Sequence, residues 1–351
     1  MTKPTATMTI QPQDTLMFRE AHETAEVVER QLAQNEAVVT ALAERLRAHP
    51  PRMVITCARG SSDHAAMYAK YVFETQLGVV TASASPSVTS IYHASQHLDG
   101  ALYVAVSQSG KSPDLVRNAE AAKRAGAYVV ALVNVVDSPL AAIADVVVPL
   151  HAGPEKSVAA TKSYLGALFA ILHIAARWSG KAEIADALTA LPAQLRQGWD
   201  ADWSSLTEGL VDAHNLFVVG RGFGFAGALE AALKFKETCG LHAEAFSAAE
   251  VKHGPMALVG PDFPVLFFAQ NDDTLPGVLE VAAEFRKRGA AVWVAAPGAE
   301  GDGLLPLVTT APISAPLVTV QSFYRATAAL AIKRGFNPDV PPHLNKVTET
   351  V

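Results

Sequence analysis

Short apolar runs alternate with amphipathic stretches along most of the chain. The runs include VITC, VAVS, YVVALV and DVVVPL, each short enough for one buried strand. Between them lie helix-length segments with apolar residues at helical spacing, such as AAMYAKYVFETQLG and residues 112–125. Residues 14–48 and 162–197 carry further helical patterns. Strands that alternate with helices in this way predict an α/β fold with a parallel, doubly wound sheet.

The pattern occurs twice. At a shift of 162 positions, LFVVGRGFGFAGALEAALKFKETCG aligns with TCARGSSDHAAMYAKYVFETQLG, which places Arg59 on Arg221 and Gly60 on Gly222. The later strands and helices align in the same order, so we expect two similar α/β halves in tandem, each a doubly wound parallel sheet flanked by helices. The predicted units are an N-terminal segment with a helix, the two halves and a tail, at residues 1–34, 35–195, 205–335 and 336–351.

Composition limits the classes of function. Apolar residues make up 50% of the 351 residues and charged residues 18%, which suits a large globular core. With a net charge of −6 and scattered Lys and Arg, the chain has no basic footprint for nucleic acid. Cys57 and Cys239 are too few for a disulfide framework, so a reducing compartment is expected. The N-terminus lacks the apolar run of a signal peptide, and no apolar stretch has the length of a membrane span. We therefore expect a cytoplasmic protein with no membrane partner.

Hydroxyl-rich turns follow two strands of the first half. One is SQSGKS at residues 107–112 and the other contains Ser61 and Ser62. A strand end that leads into a helix offers free N–H groups and a helix dipole to an anion, and hydroxyls add uncharged donors. Serine capping of helices is the plain alternative. Because the second half replaces both turns, with AQNDDT at 269–274 and GRGFGF, a phosphate site is favoured. Its candidate ligands are Ser61, Ser62, Ser107, Gln108, Ser109 and Ser112.

Other ligand signatures are missing from the sequence. GxxxxGK[ST] is absent, and GRGFGFAG fails the GxGxxG pattern, so neither a P-loop nor a dinucleotide site is expected. His93 and His97 are four positions apart, as on one face of a helix, but no third ligand stands near them. We therefore expect no metal and no cofactor.

A charged segment, LKFKETCGLHAEAFSAAEVKHGP, opens with Leu233 and closes with Pro255. Lys234 and Glu237 are three positions apart in a helical pattern and therefore share a helix face, and His253 follows. A carboxylate, an ammonium and an imidazole together can move protons on a carbon acid. A surface ion pair and an ordinary turn histidine are the alternatives, and the spacing alone leaves both open.

Four motifs carry a resemblance to a known family. VSQSGKSPD, GPEKSVAATKSY, LEAALKFKETCGLHAEAFSAAEVKHGPMALV and HLNKVTETV resemble the phosphate loop, linker, catalytic segment and C-terminal tail of the sugar isomerase (SIS) domain family. Within that family they are most similar to the isomerase half of the glutamine:fructose-6-phosphate aminotransferases. The resemblance runs from about residue 50 to the C-terminus. It implies two tandem SIS domains that bind a sugar phosphate.

The resemblance also implies roles for individual residues. Glu237 would carry a proton between C1 and C2 of the sugar, and Lys234 would assist near the reacting oxygens. His253 would open the sugar ring from a neighbouring subunit, which implies a homodimer with shared active sites. Lys346 would approach the carbonyl carbon, and whether it forms a Schiff base there stays open. The phosphate ligands would be Ser62, Ser107, Gln108, Ser109 and Ser112, and the pocket would also be lined by Val158 and Glu155.

The expected activity is that of an isomerising glucosamine-6-phosphate deaminase. No segment resembles the glutaminase domain of the synthases, so we expect that the chain does not release ammonia from glutamine. Lys111 replaces an acidic residue of the synthase loop, which leaves the sugar open. Galactosamine 6-phosphate or a fructosamine 6-phosphate is an alternative substrate, and aldose–ketose isomerisation is an alternative reaction. A non-catalytic sugar-phosphate sensor is disfavoured, because no helix-turn-helix pattern is present.

Overall fold

Two five-stranded sheets form the centre of the molecule, whose computed structural model describes residues 10–298 and 301–346. The strands of the first half are β1 (Val54–Cys57), β2 (Thr81–Ser83), β3 (Leu102–Ser107), β4 (Tyr128–Val133) and β5 (Val146–Pro149). Those of the second half are β6 (Asn215–Gly220), β7 (His242–Ser247), β8 (Pro264–Phe268), β9 (Ala291–Pro297) and β10 (Leu304–Leu307).

The two sheets share one topology. All pairings are parallel, and the strand orders are β2-β1-β3-β4-β5 and β7-β6-β8-β9-β10. The predicted pair of similar, doubly wound halves is therefore confirmed. In each half the strand order reverses at one point, and ligands of such sheets bind at the carboxyl edge there. We call the crevice between the ends of β1 and β3 the first crevice and that between β6 and β8 the second crevice.

Helices cover both sheets and join them. In chain order they are α1 (Leu16–His22), α2 (Thr24–Ala48), α3 (Ser61–Leu77), α4 (Pro86–Ser90), α5 (Pro113–Arg124), α6 (Pro139–Ile143), α7 (Lys162–Ser179), α8 (Ala182–Trp199), α9 (Ser204–Gly209), α10 (Phe223–Cys239), α11 (Leu275–Lys287) and α12 (Ala315–Lys333). Short 3₁₀ helices lie at Pro12–Asp14, Glu250–Lys252 and Pro255–Leu258. Helix α3 packs on α10, and α12 packs on α10 and α8. No helix in the described ranges has the length and apolar character to span a bilayer.

One continuous hydrophobic cluster connects the halves. Helices α7 and α12 are buried on nearly every face because other helices surround them: α7 packs on α2, α3 and α8, and α12 packs on α1, α8 and α10. Phe323 of α12 is the centre of an aromatic stack, with ring centroids 5.0 Å from Phe235 and 6.0 Å from Phe268. These contacts fix α10 against α12 and β8 of its own half, while α3 of the first half packs on its other side. Helix α10 carries the charged residues of the predicted site.

The observed elements refine the predicted boundaries. The helical pattern at 14–48 divides into α1 and α2, and α2 crosses the predicted boundary between residues 34 and 35. The pattern at 162–197 divides into α7 and α8 at Gly180, whose φ of 68° favours glycine. Residues 1–9 of the predicted N-terminal segment and 347–351 of the predicted tail lie outside the described residues.

Candidate active site

A cavity of about 300 Å³ occupies the first crevice. The ends of β1 and β3 form one side, α10 of the second half forms another, and the tail closes the third. It is lined by Arg59, Gly60, Ser61, Ser62, Val106, Ser107, Gln108, Ser109, Ser112, Leu115, Val158, Ala160, Lys234, Glu237, Leu344, Asn345 and Lys346. All six predicted phosphate ligands therefore lie at one cavity.

The turn after β3 is built to present donors. Ser107 Oγ accepts a hydrogen bond from the Gly110 amide at 3.0 Å, and Ser109 Oγ accepts from the Lys111 amide at 3.3 Å. Ser112 is the N-cap of α5 but makes no capping bond through its hydroxyl, which remains available to a ligand. Gly110 has φ 63°, and a Cβ there would lie 2.2 Å from Ser138 Oγ, so this turn requires glycine.

The turn after β1 delivers Ser61 and Ser62 to the cavity. Gly60 precedes them with φ 56° and ψ −134°, a conformation that a side chain would strain. Ser61 Oγ donates to Glu230 Oε1 at 3.0 Å, so its proton is already used. Ser62 is half-buried, which leaves it the more accessible hydroxyl of the two.

Lys234 and Glu237 lie side by side on α10 and both reach the cavity. The Lys234 ammonium donates to Glu237 Oε2 and lies 3.4 Å from Glu230 Oε1. Burial alone would lower the pKa of Lys234, but the two carboxylates outweigh burial and hold its pKa above the usual value. The Glu237 side chain is 20% exposed, so it can meet a ligand directly. The prediction that these residues share a helix face is confirmed.

Glu230 is a central residue that the sequence reading missed. Its carboxylate is fully buried and also accepts hydrogen bonds from Tyr324 Oη at 2.8 Å and contacts His64 Nδ1 at 2.8 Å. Burial would raise its pKa, but Lys234, His64 and Tyr324 together hold the pKa below the usual value. The sequence signal for it is its position four residues before Lys234, which places both residues on one face of the helix. The other partners come from distant parts of the chain.

The tail returns across the first half to the cavity. Asp339 accepts from the amides of Leu16 and Met17 at 2.7 and 2.8 Å, which caps α1. Further on, Lys346 Nζ donates to Glu155 Oε2 at 2.9 Å and to the Ser157 carbonyl at 2.8 Å. Lys346 therefore lies at the cavity, and its predicted approach to the carbonyl carbon of the sugar stays a prediction.

Glu155 lies behind the cavity wall, whereas Val158 is on it. The Glu155 side chain is fully buried and accepts from the Thr161 and Ser163 amides, both at 3.0 Å. Burial would raise its pKa, but Lys346 and these donors hold the pKa below the usual value. Glu155 thus anchors Lys346 and the linker and does not line the pocket, unlike the expectation from the resemblance.

The remaining candidate residues lie elsewhere. His253 follows the 3₁₀ helix Glu250–Lys252, is exposed and is not on the cavity wall of its own chain. His93 and His97 lie in irregular backbone after α4 and not on a helix, so the four-residue spacing does not bring them together. In the described ranges no three His, Cys, Asp or Glu side chains cluster as metal ligands. Cys57 and Cys239 are both buried free thiols.

The arrangement separates binding from acid–base groups. The hydroxyl-rich turns and the N-terminus of α5 favour an anion in the cavity. Glu237, Lys234 and Lys346 add a carboxylate and two ammonium groups to the same cavity. Such groups can move protons and stabilise negative charge on a bound carbon acid.

Comparisons with known proteins agree with this architecture. The SIS domain family matches residues 49–177 and 209–296. A glutamine–fructose-6-phosphate aminotransferase (isomerizing) from Thermotoga maritima is 34% identical over 312 residues, covering 84% of this chain and 50% of the relative. The chain thus spans about half the length of such curated relatives.

Solved structures give the same result. A protein from Silicibacter pomeroyi, provisionally named a phosphosugar isomerase, is 42% identical with a TM-score of 0.87, covering 93% of this chain and 100% of its own. The C-terminal domain of a glucosamine–fructose-6-phosphate aminotransferase from Francisella tularensis is 27% identical with a TM-score of 0.83, covering 93% and 98%. With the SIS family match extending over most of both halves, this chain belongs to the SIS domain family.

Proposed function

We propose that this protein is an SIS-type glucosamine-6-phosphate deaminase that forms fructose 6-phosphate and ammonia. The observation that carries the proposal is that Glu237 and Lys346 share one cavity with the anion-binding turns. A cavity of about 300 Å³ is of the size that ligand sites have. The relatives named as isomerizing aminotransferases of fructose 6-phosphate support a hexose phosphate as the ligand.

The phosphate end of the substrate would be held by the turns of the first half. Ser109 and Ser112 would donate from the turn after β3, and Ser62 from the turn after β1. Fixing this end turns proton transfer at the distant C1 and C2 into an oriented, unimolecular step. The proposal is supported by the presence of α10 residues on the same cavity as the turns.

The chemistry would run in three steps. Ring opening gives the C1 aldehyde of the amino sugar. Glu237 then removes the C2 proton to form an enolamine, and a proton is returned to C1, which leaves an imine at C2. Water adds to this imine, ammonia leaves, and C2 becomes the ketone of fructose 6-phosphate. Lys234 would stabilise negative charge that develops on the reacting oxygens, since its ammonium is held in place by two carboxylates.

Two further groups would complete the site. Lys346 would position the carbonyl once it leaves Glu155, and its partial exposure of 25% supports access to a ligand. His253 would catalyse ring opening from the neighbouring subunit of a homodimer. The supporting observation is that His253 is exposed on its own chain and away from its own cavity.

The direct test incubates the purified protein with glucosamine 6-phosphate and measures ammonia and fructose 6-phosphate together. Equimolar formation of both products is expected. Parallel reactions with galactosamine 6-phosphate and fructosamine 6-phosphate define which amino sugar is preferred. If none of the three substrates releases ammonia, the deaminase proposal is wrong.

Aldose–ketose isomerisation of a sugar phosphate is the second candidate. The name of the 42% identical structural relative favours it, and the same Glu237 would move the same proton. It differs in leaving nitrogen untouched. Interconversion of glucose 6-phosphate and fructose 6-phosphate, without ammonia from any amino sugar, would select this function.

A further inference from the structure

Arg59 contributes a guanidinium to the cavity, in addition to the ammonium groups of Lys234 and Lys346. It lies directly before Gly60 at the end of β1, and its side chain is 49% exposed. Its Nε donates to Asp114 Oδ2 at 2.8 Å. Across residues 10–298 and 301–346, the guanidinium makes no other hydrogen bond, so both Nη groups keep their donors free.

Asp114 explains why this arginine is needed. It belongs to the first turn of α5, and its side chain is fully buried. A carboxylate at this position partly cancels the positive potential of the helix N-terminus, which would otherwise attract a phosphate. Arg59 neutralises that carboxylate and is itself held in one orientation by it. A guanidinium held in this way presents its remaining N–H groups as a fork, which matches two oxygens of a phosphate.

We propose that Arg59 is a specificity-determining residue that binds the substrate phosphate through its Nη groups while Asp114 positions it. This inference rests on the proposed function only in assigning the first crevice to a phosphate. It predicts a strong preference for phosphorylated over unphosphorylated sugars, and that preference concerns binding and not the proton transfer at Glu237.

The internal duplication supplies a matched control. Arg221 stands at the equivalent position after β6 and is also exposed. The cavity beside Phe268 and Gln270 of the second crevice has a volume of only about 10 Å³, and Arg221 does not line it. Loss of Arg221 should therefore remove the same charge from the protein without affecting the ligand.

The experiment measures binding of glucitol 6-phosphate by calorimetry. This probe lacks a carbonyl, so it cannot react, and glucitol serves as the phosphate-free probe. For Arg59→Gln we expect Kd for glucitol 6-phosphate to rise about tenfold or more, as for the loss of a hydrogen bond to a charged group. The Kd of Arg59→Lys should lie between those of the wild type and Arg59→Gln, because lysine keeps the charge but lacks the forked pair of N–H donors. Arg221→Gln should bind like the wild type, and thermal unfolding checks that each variant is folded.

A double variant separates direct contact from simple neutralisation. If Arg59 only cancels the charge of Asp114, Arg59→Gln combined with Asp114→Asn restores wild-type affinity. If Arg59 contacts the phosphate, as proposed, the double variant stays weak. Restored affinity in the double variant, or equal losses for Arg59→Gln and Arg221→Gln, would overturn the proposal.

The binding experiment on Arg59 and the ammonia assay can fail independently of each other. Tight, Arg59-dependent binding of glucitol 6-phosphate without ammonia release would support the role of Arg59 and reject the deaminase. Ammonia release by the wild type, with unchanged binding of glucitol 6-phosphate in Arg59→Gln, would support the deaminase and reject the role of Arg59. Failure of the wild type to bind glucitol 6-phosphate would overturn the assignment of Arg59.

Discussion

The two halves have the same backbone topology, but the first crevice is open and the second is nearly filled. Gly60 and Gly222 precede α3 and α10 with φ/ψ of 56°/−134° and 57°/−131°, and both helices end before a left-handed glycine. The first crevice opens into a cavity of about 300 Å³, whereas the cavity beside the second is about 10 Å³. The difference therefore lies in side chains and not in topology.

Side chains of the protein itself fill the second crevice. Gln270 Nε2 donates to the Arg221 carbonyl at 2.7 Å and to Asp272 Oδ2 at 3.1 Å. Asp272 Oδ1 accepts from the Thr274 amide at 2.9 Å, at the N-terminus of α11. The Asp272 carboxylate thus lies in the turn before α11. In the first half the turn before α5 carries Ser107, Ser109 and Ser112, and the Asp114 carboxylate of α5 is buried against Arg59.

The contrast suits a duplicated fold in which one half binds the ligand and the other supplies the acid–base groups. The first half keeps an open cavity lined by serine hydroxyls and Arg59, where we propose that the phosphate binds. The second half closes its own crevice and places Glu237 and Lys234 of α10 beside the first. Each half is incomplete alone, so the account predicts that binding and chemistry respond to mutation in different halves.

The largest expected effect is that of Glu237→Gln. Loss of the proposed base should lower turnover of glucosamine 6-phosphate by about a thousandfold, while the Kd for glucitol 6-phosphate stays unchanged. Glu244→Gln is the matched control, because Glu244 is an exposed glutamate on β7 of the same half. Near-normal turnover in Glu237→Gln would reject its role as the base.

The next effect concerns binding in the first half. Ser109→Asp adds a negative charge where the phosphate is expected, and the new side chain can still accept from the Lys111 amide, as Ser109 does. Repulsion should raise the Kd for glucitol 6-phosphate by about a hundredfold. Asn271→Asp adds the same charge at the equivalent position of the second half and should have no effect. Equal effects of the two variants would contradict the assignment of the phosphate to the first crevice.

A smaller effect is expected where the tail reaches the first half. Because the pKa of Glu155 is held below 4.5, its ionised form stabilises the folded state above that pH, and the contribution is lost as pH falls through the lowered pKa. Glu155→Gln should lower the free energy of unfolding by about 2 kcal/mol near neutral pH. Urea unfolding at several pH values should show the difference from wild type shrinking below about pH 4.5. A difference independent of pH would contradict the ion pair with Lys346.

The smallest effect is expected from Asp272→Ala. Loss of its bonds at the start of α11 should cost about 1 kcal/mol of stability, as for other helix caps, without changing turnover. Thermal unfolding and the ammonia assay measure the two quantities. A large loss of turnover would mean that the second crevice takes part in the reaction.

The sequence predicted the parts of the site that are local. Both serine turns and the Lys234–Glu237 pair follow from strand ends and helical spacing. Strand β7 was not recognised, because His242 and Glu244 alternate with alanine and give no run of β-branched residues. The repeat aligns it with β2, which was the unused signal.

The long-range contacts could not be predicted from pattern. Glu230 joins Ser61 to Tyr324, and these residues come from α3 and α12. Glu155 was expected on the pocket wall, yet its role depends on a lysine 191 positions away. The predicted role of His253 involves a second chain and stays a prediction.

The most direct test of the account is a crystal structure of Glu237→Gln with glucosamine 6-phosphate. We expect the phosphate within hydrogen-bond distance of Ser109 and Ser112, and C2 of the sugar facing residue 237 on α10. A phosphate bound at the second crevice, or a sugar whose C2 faces away from α10, would contradict the division of binding and chemistry between the two halves.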